Sequence, residues 1–165
     1  MPLSKVSYLI PIIFSLGCLG CSNDGARVSA SMNASSATEL PANPLQWRVI
    51  TSAINKQDST MWTLYGNDLA VDYARTHSQH DYPAGSQISL VTWTQRDDPR
   101  YFGARIPGEV KSVEFVVVSA APDGRSSYSY SAYEGAPLRK APAPEGMTPD
   151  DRSAYLLSQR AAVMP

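Results

Sequence analysis

Two histidines and a neighbouring aspartate come closest to a metal-binding pattern. His77, His80 and Asp81 lie close together and are followed by no further His. Imidazole nitrogens helped by a carboxylate are a common transition-metal ligand set, so this stretch offers up to three ligands. No second cluster completes the set expected of a closed site. The favoured interpretation is therefore a solvated loop, with His77 near the negative end of a preceding helix.

A second candidate is the charged and aromatic stretch 96–105, which reads RDDPRYFGAR. Arginine binds anions through a planar fork of donors, so Arg100 or Arg105 would reach an anionic ligand if this were a loop over a pocket. The alternative is a surface loop held by Arg–Asp pairs, each of which contributes little. The composition favours the second interpretation, although long loops in compact domains are often functional.

Tyrosine and serine alternate over residues 126–133, which puts Tyr128 and Tyr130 on one face of a strand. Tyrosine combines a large ring with a polar tip, so a platform for a sugar or an aromatic ligand is conceivable. The favoured interpretation is one sheet face packed under tyrosine rings. The sequence contains no Gly-rich phosphate loop, nucleophile elbow or Cys–His pair. No carboxylates are spaced as a catalytic dyad.

The start of the chain has the pattern of an export signal. Lys5 precedes the apolar run 6–16, which is too short for a transmembrane helix and fits a signal peptide over residues 1–20. Leu-Gly-Cys then occurs twice, ending at Cys18 and Cys21, and resembles a bacterial lipobox. The resemblance implies that one cysteine is lipidated and becomes the first mature residue. Cys21 is favoured, because polar residues follow it directly, and Cys18 is the alternative.

The two cysteines allow two other interpretations. Cleavage without lipidation is one. A CxxC redox or haem motif is the other, but Ser22 stands where c-type haem attachment needs a histidine. We therefore expect export to the periplasmic face of a bacterial membrane, with a lipid anchor as the membrane partner. Residues 21–44, rich in Ser, Ala and Asn, are predicted to be a flexible tether because they cannot bury much apolar surface.

The composition limits the remaining possibilities. The chain has 165 residues, 43% of them apolar, which is enough for one domain with a sizeable core. The net charge of −1 provides neither the basic surface of a nucleic-acid-binding domain nor a basic stripe for an anionic membrane. Both cysteines lie near the start, so a disulfide framework or a cysteine zinc site is excluded for the folded part.

Strand and helix signals over residues 45–165 predict an α+β domain. About five antiparallel strands are expected, with a short helix after the first hairpin and a helix at the C-terminus. The predicted strands are 47–54, 60–65, 87–94, 113–119 and 126–133. The predicted helices begin at the N-caps Asn67 and Thr148, the second running to the chain end with Ala154, Leu157, Ala161 and Met164 on one face. Residues 95–111 are expected to be a long loop and 135–146 to be irregular.

Several of these pieces resemble the cytochrome P-460 family. The helix entry Gly66-Asn67-Asp68, with Ala70 after it, is similar to that family's "GND-x-A" pattern. The turn Tyr82-Pro83-Ala84-Gly85, the strand ending in Trp93 and the strand 112–117 follow in the family's order. The resemblance covers about residues 45–135. It implies a mostly antiparallel, commonly dimeric periplasmic haem protein, whose best-known members oxidise hydroxylamine.

The family's haem-holding residues have no counterpart here. The resemblance implies a C-terminal CxxCH that attaches haem and ligates iron, yet no Cys follows Cys21 and no His follows His80. Aligning Gly85 and Trp93 with the family pattern puts Leu90 at the position of the lysine that crosslinks to the porphyrin. A fold without these groups does not carry the family's reaction. A truncated gene is the other explanation.

Two functions are therefore expected as alternatives. The first is a lipid-anchored envelope module, not an enzyme, with no bound cofactor and a small-ligand pocket or a structural role. Its apolar pocket would be lined by five candidates: Ile88, Leu90, Phe102, Phe115 and Tyr128. The second is a periplasmic redox protein that binds haem non-covalently or through a missing C-terminal motif, with hydroxylamine or nitrogen-oxide chemistry. A homodimer is expected from the resemblance alone.

Overall fold

A six-stranded antiparallel sheet forms the centre of the computed structural model, which describes residues 40–78, 81–122 and 125–162. The strands pair in chain order, each with the next: β1 (Arg48–Asn55), β2 (Thr60–Gly66), β3 (Gln87–Asp97), β4 (Arg105–Ala120), β5 (Ser126–Glu134) and β6 (Arg139–Ala141). Two α-helices, α1 (Asp68–Thr76) and α2 (Pro149–Leu157), complete the domain with a short 3-10 helix at Pro44–Gln46. The α+β architecture is confirmed, with six strands rather than five.

The prediction of a long loop over 95–111 was wrong, because most of these residues extend β3 and β4. Gln95 pairs with Pro107 and Asp97 with Arg105. Proline is tolerated in strands that lack a neighbour on one side. Pairing of β4 with β5 begins only at Ser112, so Pro107 lies where β4 has β3 alone beside it. The predicted irregular segment 135–146 contains the short strand β6.

The two faces of the sheet carry separate apolar cores. Strand alternation sends Ile88 and Leu90 to one face and Val91 and Trp93 to the other, as predicted. We call the first the helix face, because α1 and α2 pack on it. The other, the opposite face, is covered by the segment that leads into β1, including Trp47 edge-on to Phe115 with ring centroids 6.1 Å apart.

Both predicted helix starts are confirmed. The Asn67 side chain accepts a hydrogen bond from the Ala70 N–H at 3.0 Å, and Thr148 forms a capping box with Asp151. The helix α2 ends at Leu157 instead of continuing to the chain end. Its buried side is also rotated from the predicted one: Ala154 is exposed, and the buried residues are Ser153, Leu156 and Leu157. After the helix, the Ala162 N–H bonds to Ile50 O at 2.9 Å, on the free edge of β1.

Several predictions lie outside the described residues: the signal peptide 1–20, the lipidation candidates Cys18 and Cys21, His80, Met164 and most of the tether. Residues 40–44 of the predicted tether are described, and Leu40 and Ala42 pack against the core of the opposite face. The folded part therefore begins by residue 40. Within the described ranges, neither helix has the length and apolar character that crossing a bilayer requires.

Candidate functional site

A cleft on the helix face, which we call the α2 cleft, lies between α2 and one end of the sheet. Its volume is about 410 Å³, which is within the usual range for small-molecule sites. The floor comes from β2 to β5, and the outer wall from α2 and the segment before it. The lining residues are Asn55, Asp58, Thr60, Trp62, Leu90, Thr92, Lys111, Ser112, Glu114, Ala132, Glu134, Pro144, Met147, Arg152 and Tyr155.

A buried ion pair closes the base of this cleft. Arg152 of α2 donates from Nε to Glu114 Oε2 at 2.6 Å and from Nη2 to Glu114 Oε1 at 2.8 Å. The side chains are only 15% and 5% exposed, respectively. This two-point geometry is the strong form of an Arg–carboxylate contact. The Glu114 carboxylate also keeps the pKa of Arg152 above its ordinary value.

Tyr130 completes the network. Its hydroxyl donates to Glu114 Oε2 at 2.6 Å. Burial, reinforced by the hydrogen bond to Glu114, raises the pKa of the Tyr130 phenol well above its ordinary value. Both carboxylate oxygens of Glu114 are thus engaged, which is the condition under which a buried charge is tolerated. On the outer side, the Arg152 guanidinium carbon lies 4.7 Å from the centre of the Tyr155 ring, a cation–π contact.

Local sequence explains how three elements deliver these groups. Glu114 pairs with Leu90 on β3 and with Ala132 on β5, so its side chain points to the helix face within an otherwise apolar stretch of β4. The capping box at Thr148 fixes where α2 begins, which places Arg152 one turn into the helix and above Glu114. The network therefore joins residues far apart in the chain.

The rim of the cleft is polar and carries charges of both signs. Asp58 accepts a hydrogen bond from Asn55 Nδ2 at 2.7 Å, while Lys111 and Glu134 form no ion pair within the described part of the chain. The floor between them combines the apolar residues Trp62, Leu90 and Ala132 with the hydroxyl-bearing residues Thr60, Thr92 and Ser112. This arrangement can hold a small molecule with an apolar body and polar substituents.

The structure does not bring the five predicted pocket residues together. Leu90 lines the cleft, and Ile88 lies in the packed core of the same face. Phe115 pairs with Ser89, one position from Leu90, so strand alternation sends its ring to the opposite face. Phe102 is fully exposed at the end of the β3–β4 hairpin, and Tyr128 is 40% exposed away from the cleft. A single pocket lined by all five is therefore not formed.

The other sequence candidates are dispersed. His77 is the C-cap of α1, at the helix end where the sequence predicted it, and its ring stacks on Tyr73 with ring centroids 4.2 Å apart. Among the described residues, no cluster of three His, Cys, Asp or Glu is arranged to hold a metal. Arg105 pairs with Asp97 at 2.8 Å, which agrees with the interpretation of 96–105 as a surface segment held by Arg–Asp pairs. Tyr128 and Tyr130 share the helix face, as predicted, but only Tyr130 reaches the network.

Comparison with known proteins identifies the family. The sequence model of the cytochrome P460 family matches residues 41–147. The chain belongs to this family. The cytochrome P460 domain so defined contains all six strands and α1, and the match ends just before α2, the helix that supplies Arg152. Among curated proteins, none matches the chain.

The sequence alone did not reveal this network, which joins the cytochrome P460 domain to α2. The available signal was Glu114, a lone acid between apolar residues of the strand 113–119. Buried acids are almost always paired, so such an acid requires a cation. The chain has many arginines, and only the packing of α2 selects Arg152 as the partner.

Proposed function

We propose that this chain is an envelope lipoprotein whose cytochrome P460 domain binds a small ligand in the α2 cleft, without covalently attached haem and without catalysing a reaction. The observation that carries the proposal is the buried Glu114–Arg152–Tyr130 network, which fills the base of the cleft with protein groups that satisfy one another.

The cleft residues do not fit the haem that the family implies. Haem iron is held in proteins by His, Cys, Met or Tyr side chains, and the family's haem uses a CxxCH motif. Among the described residues that line the cleft there is no His or Cys, so the family's attachment motif and its His ligand have no counterpart there. Met147 and Tyr155 also line the cleft, and the Tyr155 ring is engaged by Arg152. The position that the resemblance assigns to the crosslinking lysine is Leu90, which lies on the cleft floor.

The network also favours binding over catalysis. A general acid or base works best when its pKa lies near the operating pH. The pKa of Tyr130 is displaced upward, away from neutrality. Both oxygens of Glu114 already accept hydrogen bonds from Arg152 and Tyr130, so the carboxylate has structural partners rather than a free face. The mixed floor and the polar rim of the cleft remain available to a ligand.

Spectroscopy of the purified full chain tests the absence of haem. We expect no Soret band in the isolated protein, no porphyrin retained after acid-acetone extraction, and no stoichiometric complex when haem is added. A retained porphyrin would overturn the proposal. A tight one-to-one haem complex would instead support the alternative, a redox protein with non-covalent haem.

Ligand binding is tested with a matched pair of variants on β3. Thr92 lines the cleft, whereas Thr94 lies two residues along the same strand and is exposed. A panel of small aromatic and heterocyclic compounds is screened by quenching of tryptophan fluorescence, since Trp62 forms part of the floor. We expect Thr92→Phe to abolish the quenching and Thr94→Phe to preserve it. Equal behaviour of both variants would place the ligand elsewhere.

The lipid anchor is tested by mass spectrometry of the exported protein. We expect an acylated N-terminal residue at Cys21, and loss of membrane association in Cys21→Ser but not in Cys18→Ser. The reverse pattern would move the anchor to Cys18, and an unacylated mature chain would remove the lipoprotein assignment.

A further inference from the structure

The hairpin between β3 and β4 extends beyond the rest of the sheet. The last β3 residue paired with β2 is Thr94, and the first β4 residue paired with β5 is Ser112. Residues 95–107 therefore form a two-stranded arm, in which Gln95 pairs with Pro107 and Asp97 with Arg105. We call residues 98–104, which connect the two strands, the arm tip.

The arm tip displays two aromatic side chains to solvent. Tyr101 is 68% exposed. Phe102 is fully exposed, so no other residue shields its ring from solvent. The backbone around them is nonetheless well connected. The Asp98 N–H bonds to Ala104 O at 3.0 Å, and the Ala104 N–H bonds to Tyr101 O at 3.1 Å. The tip is therefore a hydrogen-bonded turn that exposes both rings to solvent.

Three arginines of the arm are close in sequence to these two aromatic residues. Arg96 donates to Pro107 O at 3.2 Å, and Arg105 pairs with Asp97 at 2.8 Å. Arg100, next to Tyr101, has no side-chain partner within the described part of the chain, although its N–H bonds to Asp98. Three arginines against two aspartates give residues 95–107 a net charge of +1 (3 − 2), in a chain whose net charge is −1.

We propose that the arm tip inserts Tyr101 and Phe102 into the interface of a lipid bilayer that contains anionic phospholipid. Aromatic rings favour the headgroup level of membranes, and arginine extends from such positions to phosphate. The two rings provide the apolar insertion, and Arg100 provides the attraction to anionic headgroups. This inference does not depend on a ligand in the α2 cleft.

The predicted lipid anchor is compatible with this contact. The segment 22–39 separates Cys21 from the first described residue, and a chain of that length spans at most about 60 Å when extended. The anchor therefore leaves the orientation of the domain on the bilayer open. In our proposal, insertion of the arm tip sets that orientation.

Quenching by brominated lipids tests the proposal on the full chain. Phe102→Trp reports from the arm tip, and Leu69→Trp is the matched control, because Leu69 is an apolar residue of α1 that is 44% exposed. The three native tryptophans contribute the same background to both variants. With vesicles of phosphatidylcholine and phosphatidylglycerol, we expect brominated acyl chains to quench the Phe102→Trp emission and leave that of Leu69→Trp unchanged. Equal quenching in the two variants would overturn the proposal.

Two further variants separate lipid from protein partners. In the full chain with both Cys18 and Cys21 replaced by Ser, Tyr101→Ser with Phe102→Ser should weaken vesicle binding at least tenfold. Arg100→Glu should weaken it only when phosphatidylglycerol is present. If the Phe102→Trp emission is instead shifted to the blue without lipid, and analytical ultracentrifugation shows a dimer that the Ser variants abolish, the tip binds a second copy and the proposal is wrong.

Discussion

The two helices lie on the same face of the sheet but are held there differently. Helix α1 buries the small apolar residues Ala70 and Val71 against the core of this face. Helix α2 buries Leu156 and Leu157 near its C-terminal end, but its first turn is held by the Arg152–Glu114 ion pair beside an open cleft. Under α1 the helix face is apolar, and apolar side chains fill it. Under the first part of α2, Glu114 interrupts the apolar face, so the contact with the helix is an ion pair and a cleft remains beside it.

The largest effect is expected from breaking the ion pair. Glu114→Gln leaves the Arg152 charge buried without its carboxylate, which should lower the free energy of unfolding by about 3–5 kcal/mol. Urea denaturation followed by tryptophan fluorescence measures this.

The matched control, Glu109→Gln, changes an exposed acid of the same strand and should have little effect. A double variant, Glu114→Leu with Arg152→Met, should recover most of the loss, because apolar groups need no partner. If Glu114→Gln were as stable as the control, α2 would be held by its leucines alone.

Alkaline pH should lower the stability of the helix face, both in the half packed under α1, which contains Tyr82, and in the half packed under α2, which contains Tyr130. Burial raises the pKa of Tyr82, beside α1, to about 12, with a smaller contribution from Tyr73. An ordinary tyrosine has a pKa of about 10. The folded state therefore holds this proton more tightly than the unfolded state. The stabilisation is fully present below pH 10 and is lost as the pH rises through about 12, by up to about 3 kcal/mol.

Urea midpoints measured between pH 9 and 12 check this sign. Tyr82→Phe removes the titrating group and should flatten the part of the decline that comes from the α1 half. The rest should persist, because the pKa of Tyr130 in the α2 half is also raised. Identical pH profiles for the wild type and Tyr82→Phe would contradict the assignment.

The packing under α1 should not tolerate one added methyl group. A Cβ at Gly66 would lie 2.9 Å from Ile50 Cδ1 and 3.0 Å from Ala70 Cβ. Gly66→Ala should therefore cost about 2 kcal/mol of stability, a typical cost of overpacking a core. Thermal unfolding measures it. Adding Ile50→Val removes the nearer atom and should restore part of the loss, and failure of that rescue would indicate a backbone effect rather than crowding.

The smallest effects are expected at the helix caps. Asn67 accepts from the Ala70 and Gln87 N–H groups and donates to Gly85 O, so Asn67→Ala should cost about 1–2 kcal/mol. Thr148→Ala removes a cap that serves α2 alone and should cost about 1 kcal/mol. Differential scanning calorimetry compares them. Asn67→Asp keeps the acceptor and should fall between the wild type and Asn67→Ala. A larger loss for Thr148→Ala would reverse the ranking of the two helices.

Local signals predicted the elements that local physics controls. Alternation of apolar residues set the faces of β3, and Asn67 and Thr148 marked the helix starts through side-chain caps. The predicted pocket failed for a non-local reason. Leu90 and Phe115 are both apolar strand residues, and only the register between β3 and β4 shows that they lie on opposite faces.

The sequence by itself determined the family, the α+β class and the apolar faces, because these depend on residue order and on a period of two that pairing preserves. The tertiary structure alone decided that Arg152 meets Glu114, that a cleft remains beside them, and that the rings of Tyr101 and Phe102 at the arm tip are exposed. Each of these depends on how distant segments are placed, and a buried charge accepts whichever partner the packing delivers.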